Sequence, residues 1–336
     1  MFGSGWKRRL VVFLGLILLA GVVVAFRRSA AQVNDDGLAV LRLPNNIADG
    51  AHIADEQGIF RRHRIRIEWT GKQMHGPASI VSLVAGQNDA AGSISTAMII
   101  ARSNGSKLKI VASLSNSTQE SPLVRYLVKD GSPITGKPED FIGKKVVSNP
   151  TTISWYPIVV LLKRAGLDYR KVEFVSLPSP LATEQALRQG DVDVISGTDR
   201  NPPGSKLLVE GGVRFIPGVS DYEVLGIQQT SGWVMREEYI QQHPEVVRRF
   251  VASLAEAYEW ADQNPVEAKA IVSRRNEVPE AYRKYQGVWR GGNKTALVDP
   301  SSIRKWVAIL EEFGQIPKGS VKPDDVFTNE FNPAKQ

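Results

Sequence analysis

Two short stretches of the chain concentrate hydroxyl groups where helices are expected to begin. Ser93, Ser95 and Thr96 stand close together after Gly92, and Thr151, Thr152 and Ser154 stand just before Trp155. Free backbone N–H groups at a helix start carry partial positive charge, and hydroxyls beside them donate hydrogen bonds without adding a full countercharge. That chemistry suits reversible capture of an anion such as a sulfonate, nitrate or carboxylate. The same residue types also serve as N-caps, so each of the six is a candidate for either role. Trp155 is a candidate wall for an apolar ligand body or a core contact. Gln73 and His75 are candidate hydrogen-bond donors, and Asn46 sits in an Asn45-Asn46 loop. Asp199, next to Arg200, suits either a zwitterionic ligand or a surface ion pair. His52 lies one turn into its helix and reads as facing solvent.

Catalytic signatures are missing from the sequence. The four histidines, His52, His63, His75 and His243, show no metal-ligand spacing, and neither a serine nucleophile elbow nor a phosphate loop occurs. The expectation is a protein that is not an enzyme, with no catalytic residue, no metal and no cofactor. Zero cysteines exclude a disulfide framework, thiolate metal sites and a lipid-modified cysteine anchor.

The elements that must position these residues come in a unit that occurs twice. Gly58 leads into Ile65-Arg66-Ile67-Glu68-Trp69, and a helical stretch then stops at Gly86 before Gln87-Asn88-Asp89. Gly166 leads into Val172-Glu173-Phe174-Val175, and a helical stretch stops at Gly190 before Asp191-Val192-Asp193. Each copy reads helix, glycine stop, strand, helix, glycine stop, strand, the signature of parallel α/β layering. In such sheets ligands sit beyond the carboxyl ends of the strands. Four loops meet that rule: 44–49, 71–75, 92–96 and 148–155. Strands are expected at 38–43, 108–112, 123–129, 144–148 and 213–216, with crossings between the halves at 113–123 and 222–235. Helical spacing of Val247, Phe250, Val251, Leu254, Tyr258 and Ala261, and again of Ile303, Val307, Leu310 and Phe313, predicts two amphipathic helices packed on a sheet.

At 336 residues and 42% apolar content the chain can bury a full core. Residues 1–31 form an export segment: Lys7, Arg8 and Arg9 precede an apolar run from Leu10 to Phe26, and Ser29-Ala30-Ala31 supplies the small residues of a cleavage site. Arg27-Arg28 after the run keep a retained N-terminal anchor as the alternative. That segment carries five of the seven net positive charges, which leaves about +2 for the rest. No nucleic-acid partner is implied, and the clusters Arg61, Arg62, Arg64 and Arg248, Arg249 read as solvated faces.

The run from Ala48 to Phe60, the Ala85-to-Asp89 turn, Gly105 to Ala112, Gly143-Lys144-Lys145-Val146-Val147, Leu161 to Leu167, Gly190 to Asp193, and His243-Pro244-Glu245 through Ala261 resemble, in order, the substrate-binding proteins of ABC importers for aliphatic sulfonates, taurine, nitrate and thiamine-precursor pyrimidines. The resemblance covers nearly everything from Leu38 to about Pro333. It implies an α/β type II periplasmic-binding-protein fold with two doubly wound lobes and a two-strand hinge. Lobe 1 would take residues 37–118 and 232–336, and lobe 2 residues 119–231. It implies a monomer that captures a small organic anion, an aliphatic sulfonate first among them, in the periplasm. The partners would be an ABC permease and ATPase in the inner membrane. Departures from the family pattern fall at Gly50-Ala51-His52 and at 197–203. The alternatives are a lyase-type enzyme of the same fold acting on a carboxylate, or a membrane-anchored ligand sensor.

Overall fold

The computed structural model describes residues 37–45, 49–72, 76–197, 203–285 and 295–335, so the expected export segment 1–31 lies outside the described residues. The first half runs β1 (Ala39–Leu43), α1 (Asp49–Glu56), α2 (Ile59–Arg62), β2 (Ile65–Trp69), α3 (Gly76–Val84), β3 (Ala90–Ile94), α4 (Ser95–Ser103) and β4 (Leu108–Ser117). The second runs β5 (Arg125–Lys129), β6 (Lys145–Val147), α5 (Tyr156–Arg164), β7 (Glu173–Val175), α6 (Pro180–Gln189), β8 (Val194–Gly197), α7 (Gly204–Glu210), β9 (Val213–Phe215) and α8 (Asp221–Leu225). The chain then returns through β10 (Gln228–Arg236) to α9 (Glu237–Gln242), α10 (Pro244–Gln263), α11 (Pro265–Arg275) and α12 (Pro300–Glu312).

The internal repeat is real in three dimensions. In the second copy β7 and β8 lie on either side of β6 in one sheet; in the first copy β2 pairs with β1, and β3 lies in a separate sheet beside β10. The four glycine stops all take the left-handed conformation, with φ of 66° at Gly58, 72° at Gly86, 71° at Gly166 and 87° at Gly190. Only glycine adopts that region without steric cost. Three residues past the second stop of each copy an aspartate does the same work. Asp193 donates its N–H to Lys145 O and accepts the Lys145 N–H on its carboxylate, both at 2.9 Å. Asp89 donates to Arg42 O at 3.0 Å and accepts the Arg42 N–H at 2.9 Å. Asp193 thus extends the pairing of β6 with β8, and Asp89 ties β1 to the start of β3 across two sheets.

Parallel layering holds for β1 with β2 and for β6 with β7 and β8. It fails for β5 and β10, which pair antiparallel with both neighbours. Each of these two strands is reached directly after a crossing, so it enters its sheet from the opposite direction. The crossings are also shorter than the sequence suggests. β4 continues to Ser117, and the segment after Ser220 forms α8, closed by a capping box between Ser220 and Glu223, before β10 begins.

Both predicted amphipathic helices form, and the residues named for their apolar faces are buried. On α10, Phe250 stacks on Phe60 at 5.9 Å and meets Trp233 edge-on at 5.4 Å. α12 reaches further than a sheet cover. Its Trp306 contacts Tyr156 on α5, and Phe313 just past its end contacts Trp155 and Tyr169. The C-terminal segment pairs with β4, the edge of the β3-β10-β4 sheet, through Ile110 and Phe327, which covers part of an edge otherwise open to association.

Candidate functional site

The carboxyl ends of β1 and β2 are tied to each other before their loops depart. Thr70 N–H donates to Leu43 O at 2.9 Å and Asn45 N–H to Gly71 O at 2.8 Å. The Thr70 hydroxyl donates to Asn88, whose amide donates to Ser82 at 2.7 Å. His52 completes this support. It is fully buried rather than facing solvent, with its ring 4.9 Å from that of Trp69 and its Nε2 2.7 Å from Asn45 Oδ1. Burial, reinforced by the charge of Arg275, pushes its pKa down to about 3. The ring is therefore neutral, and Nε2–H donates to Asn45 Oδ1. Nδ1 is left buried with no partner. Sequence reasoning missed this role because helical position alone does not reveal which side a neighbouring strand covers.

Gly50 explains one departure from the family pattern. A Cβ there would lie 2.2 Å from the ring of Tyr258. That tyrosine donates its hydroxyl to Ser113 O at 3.1 Å and accepts the Trp233 indole N–H at 3.3 Å. The glycine admits a ring that locks α10 to the sheet.

At the end of β3 the hydroxyls are not caps. α4 begins at Ser95, and its N-cap residue is Ile94, which has no side chain able to accept a hydrogen bond. Ser95 Oγ and Thr96 Oγ1 are fully buried, and neither has a hydrogen-bond partner. A buried hydroxyl left unpaired costs about 1–3 kcal/mol. Two of them stand in the first turn of a nine-residue helix, beside its free N–H groups, an arrangement able to donate hydrogen bonds to an anion's oxygens. Ser93 is fully buried in β3 opposite Gly232.

The loop after β6 is built differently. Thr151 is exposed, and both its N–H and its hydroxyl donate to Asn149 Oδ1, a local turn. Thr152 is the N-cap residue of a 3₁₀ turn (Ile153–Trp155) but does not cap it, since its hydroxyl donates back to Asn149 O at 2.8 Å. Ser154 Oγ lies 2.9 Å from Ser148 Oγ and 3.1 Å from Thr152 Oγ1. Ser148, Thr152 and Ser154 therefore converge as one hydroxyl cluster. Ser148 and Asn149 were missed, although strand-end position and turn chemistry both pointed to them. None of the three predicted residues caps α5, whose N-cap residue is Trp155.

Trp155 is no pocket wall. It is 4% exposed and is enclosed by Tyr156, Tyr169, Phe174 and Phe313 at centroid distances of 5.4–5.8 Å. Its role is to anchor the loop into the core. Asn46, Gln73, His75 and Asp199 lie outside the described residues.

Two halves of repeated topology, joined by crossings that lead into the antiparallel strands β5 and β10, with helix starts and hydroxyls at the strand ends, define a type II periplasmic-binding fold. The sequence model of the family described as "NMT1/THI5 like" matches residues 48–268, and the chain belongs to that family. The taurine-binding periplasmic protein of Escherichia coli (strain K12) is 26% identical over 65% of this chain, and the match spans 65% of that protein's own length. The formylaminopyrimidine-binding protein of Halalkalibacterium halodurans is 24% identical over 76% of each chain. Among solved structures, the periplasmic aliphatic sulphonate binding protein SsuA from Escherichia coli superposes with a TM-score of 0.67 at 20% identity, covering 87% of this chain and 98% of that one.

Proposed function

We propose that the protein is an exported solute-binding protein that captures a small organic anion of the aliphatic sulfonate class and passes it, as a monomer, to an ABC permease and its ATPase. Ser95 and Thr96 carry this reading. Their orphaned hydroxyls at the start of α4 are the first contacts for the anionic head, with the Ser148, Thr152 and Ser154 cluster supplying the facing set from the other lobe. Lobe 1 takes residues 37–118 and 232–336 and lobe 2 residues 119–231, so the two hydroxyl sets belong to different lobes and closure brings them onto one ligand. Asn46, Gln73, His75 and Asp199 extend the site, and the buried His52–Asn45 hydrogen bond fixes the residue just before Asn46. Neutral hydroxyls and helix N–H groups suit reversible capture, because they bind an anion without a full ion pair that must later be broken.

Calorimetric titration with taurine, longer alkanesulfonates, nitrate and a formylaminopyrimidine tests the reading. Alkanesulfonates binding at micromolar or tighter affinity, and at least about tenfold more tightly than nitrate or the pyrimidine, are the expected result. Binding of the pyrimidine alone would overturn the ligand class while leaving a binding protein in place.

A further inference from the structure

The chain that follows α11 is held at one end by α1 and leans at the other on α7. Its root is firm. Arg274 and Arg275 at the end of α11 pair with Glu56 and Asp55 of α1, Asn276 donates its side-chain amide to Asp49 Oδ1 at 3.0 Å, and Val278 is buried. Glu277 N–H donates to Arg274 O at 3.1 Å and Val278 N–H to Ser273 O at 2.9 Å, the paired bonds of a helix stop whose turning residue is left-handed. That residue is Glu277, φ 54°, where glycine would turn without steric cost, and its carboxylate pairs with Lys72. From here a 3₁₀ turn (Glu280–Tyr285) packs along α7, and the Tyr282 hydroxyl donates to Glu210 Oε1 at 3.4 Å.

The acceptor for that tyrosine is held in place by its own helix and the one before it. Buried Glu184 on α6 accepts from Arg188 at 3.2 Å and from Lys206 at 2.6 Å, and the same two cations face Glu210 at 2.5 Å and 3.7 Å. The tip of the bridge is its weaker end. One long hydrogen bond near solvent is readily broken and remade, whereas the root combines ion pairs, a buried side chain and a helix stop.

Both ends stand beside candidate ligand loops. Asp49 closes loop 44–49 and Lys72 lies in loop 71–75, each after the carboxyl end of a strand, while α7 follows β8 and the loop of Asp199. Asp89 sets β1 beside β3, which pairs with β10, so β1 and β2 lie on the side away from β10 and β4, the two strands that meet the crossings. A bridge from there to α7 spans the side of the cleft remote from the hinge. We propose that residues 276–285 form a latch across the mouth of the ligand cleft, with Tyr282 as the positioning residue that must leave Glu210 before a ligand can pass. The inference rests on the binding reading above and adds to it the control of entry and release. A contact that must break in both directions belongs to the barrier, so it slows uptake and release alike and leaves affinity nearly unchanged.

The chain has no cysteine, so the latch can be tied shut in the purified protein with Tyr282→Cys/Glu210→Cys and a short bis-maleimide. Exchange of isotopically labelled taurine, or of whichever member of the titration panel the parent binds, is then followed in both directions. Tying the pair before loading should slow uptake by about tenfold or more, and tying it after loading should slow release by a similar factor. Tyr282→Ala should do the reverse, raising both rates by about threefold or more with the dissociation constant within about twofold of the parent's. Its melting temperature should stay within a few degrees of the parent's. A pair that does not cross-link, or a tied protein that exchanges ligand at the parent's rate, would overturn the latch and leave the binding reading intact. So would a Tyr282→Ala protein that loses affinity at unchanged uptake, which would make the tyrosine a ligand contact. A parent that binds no member of the panel would sink the latch and the binding reading together.

Discussion

At the scale of single residues, Ser95 and Thr96 separate binding from stability in opposite directions. Their hydroxyls satisfy nothing in the unliganded fold, so Ser95→Ala and Thr96→Val should leave its melting temperature unchanged or higher. Each lost hydrogen bond to a charged ligand should cost about 1.5–3 kcal/mol, or roughly tenfold or more in affinity. Calorimetry and thermal melting on the same variants check both halves; earlier melting with normal binding would remove these residues from the site. Thr152→Val should instead weaken binding by roughly tenfold and also cost about 1 kcal/mol of stability, because its hydroxyl already bonds Asn149 O. His52 gives a pH signature. Its folded pKa, about 3, lies below the ordinary value of 6.5, so the unfolded chain takes up a proton that the folded chain refuses. Stability is then full above about pH 6.5 and falls as pH drops towards 3. Between pH 7 and 5 the loss should be about 2 kcal/mol, and His52→Gln should flatten that part of a urea-melting series. The hydroxyl clusters were legible because residue type and helix-start position are local facts. The burial of His52 and Trp155 was not, since it depends on Asn45 and Trp69 in one case and on Phe313 in the other.

Between residues and the molecule lie the repeated elements, and here the glycine spacing carried the topology. A stop with positive φ is written into the residue itself, so the two copies could be aligned from sequence, and the equivalent aspartates at Asp89 and Asp193 follow from that alignment. The direction of β5 and β10 could not be read, because a strand pointing either way has the same alternation of side chains. The paired aspartates differ in surroundings, and so in expected cost. Asp89 is buried and faces Arg42 and Arg236, at 2.6 Å and 3.8 Å. Asp193 is more exposed, with Lys144 at 3.8 Å. Asp89→Ala should therefore destabilise by about 3 kcal/mol, the scale for stripping one partner from a largely buried pair. Asp193→Ala should cost about 1 kcal/mol, the scale of one backbone N–H losing its acceptor near solvent. Urea denaturation of the two variants side by side checks the ranking; equal costs would show that the ion pair adds nothing to the turn.

For the whole molecule the question is what sets the angle between the lobes, and α12 is the element placed to do so. On one side it holds the return crossing by both backbone groups of Gln229: Ser302 Oγ accepts the N–H at 2.8 Å, and the Trp306 indole donates to the carbonyl at 2.8 Å. On the other side Trp306 meets Tyr156, Lys305 donates to Leu225 O at 3.0 Å, and Lys163 pairs with Glu312 at 2.5 Å. The ladder between β10 and β4 shifts register on both sides of Ser231, so the strand itself is irregular where the crossing begins. An irregular strand clasped by a helix that contacts residues of both halves is placed to act as a strut. Trp306→Phe keeps a ring against Tyr156 but removes the indole N–H that donates to Gln229 O, at a cost of about 1–2 kcal/mol. With two spin labels on introduced cysteines, one in each lobe, the unliganded parent should give one narrow distance distribution and the variant a broader one. Ligand affinity should fall as well, because a population spread over more lobe angles holds less of the binding-competent one. An unchanged distribution in a variant that melts earlier would make α12 a piece of core and leave the angle to the two crossing strands alone.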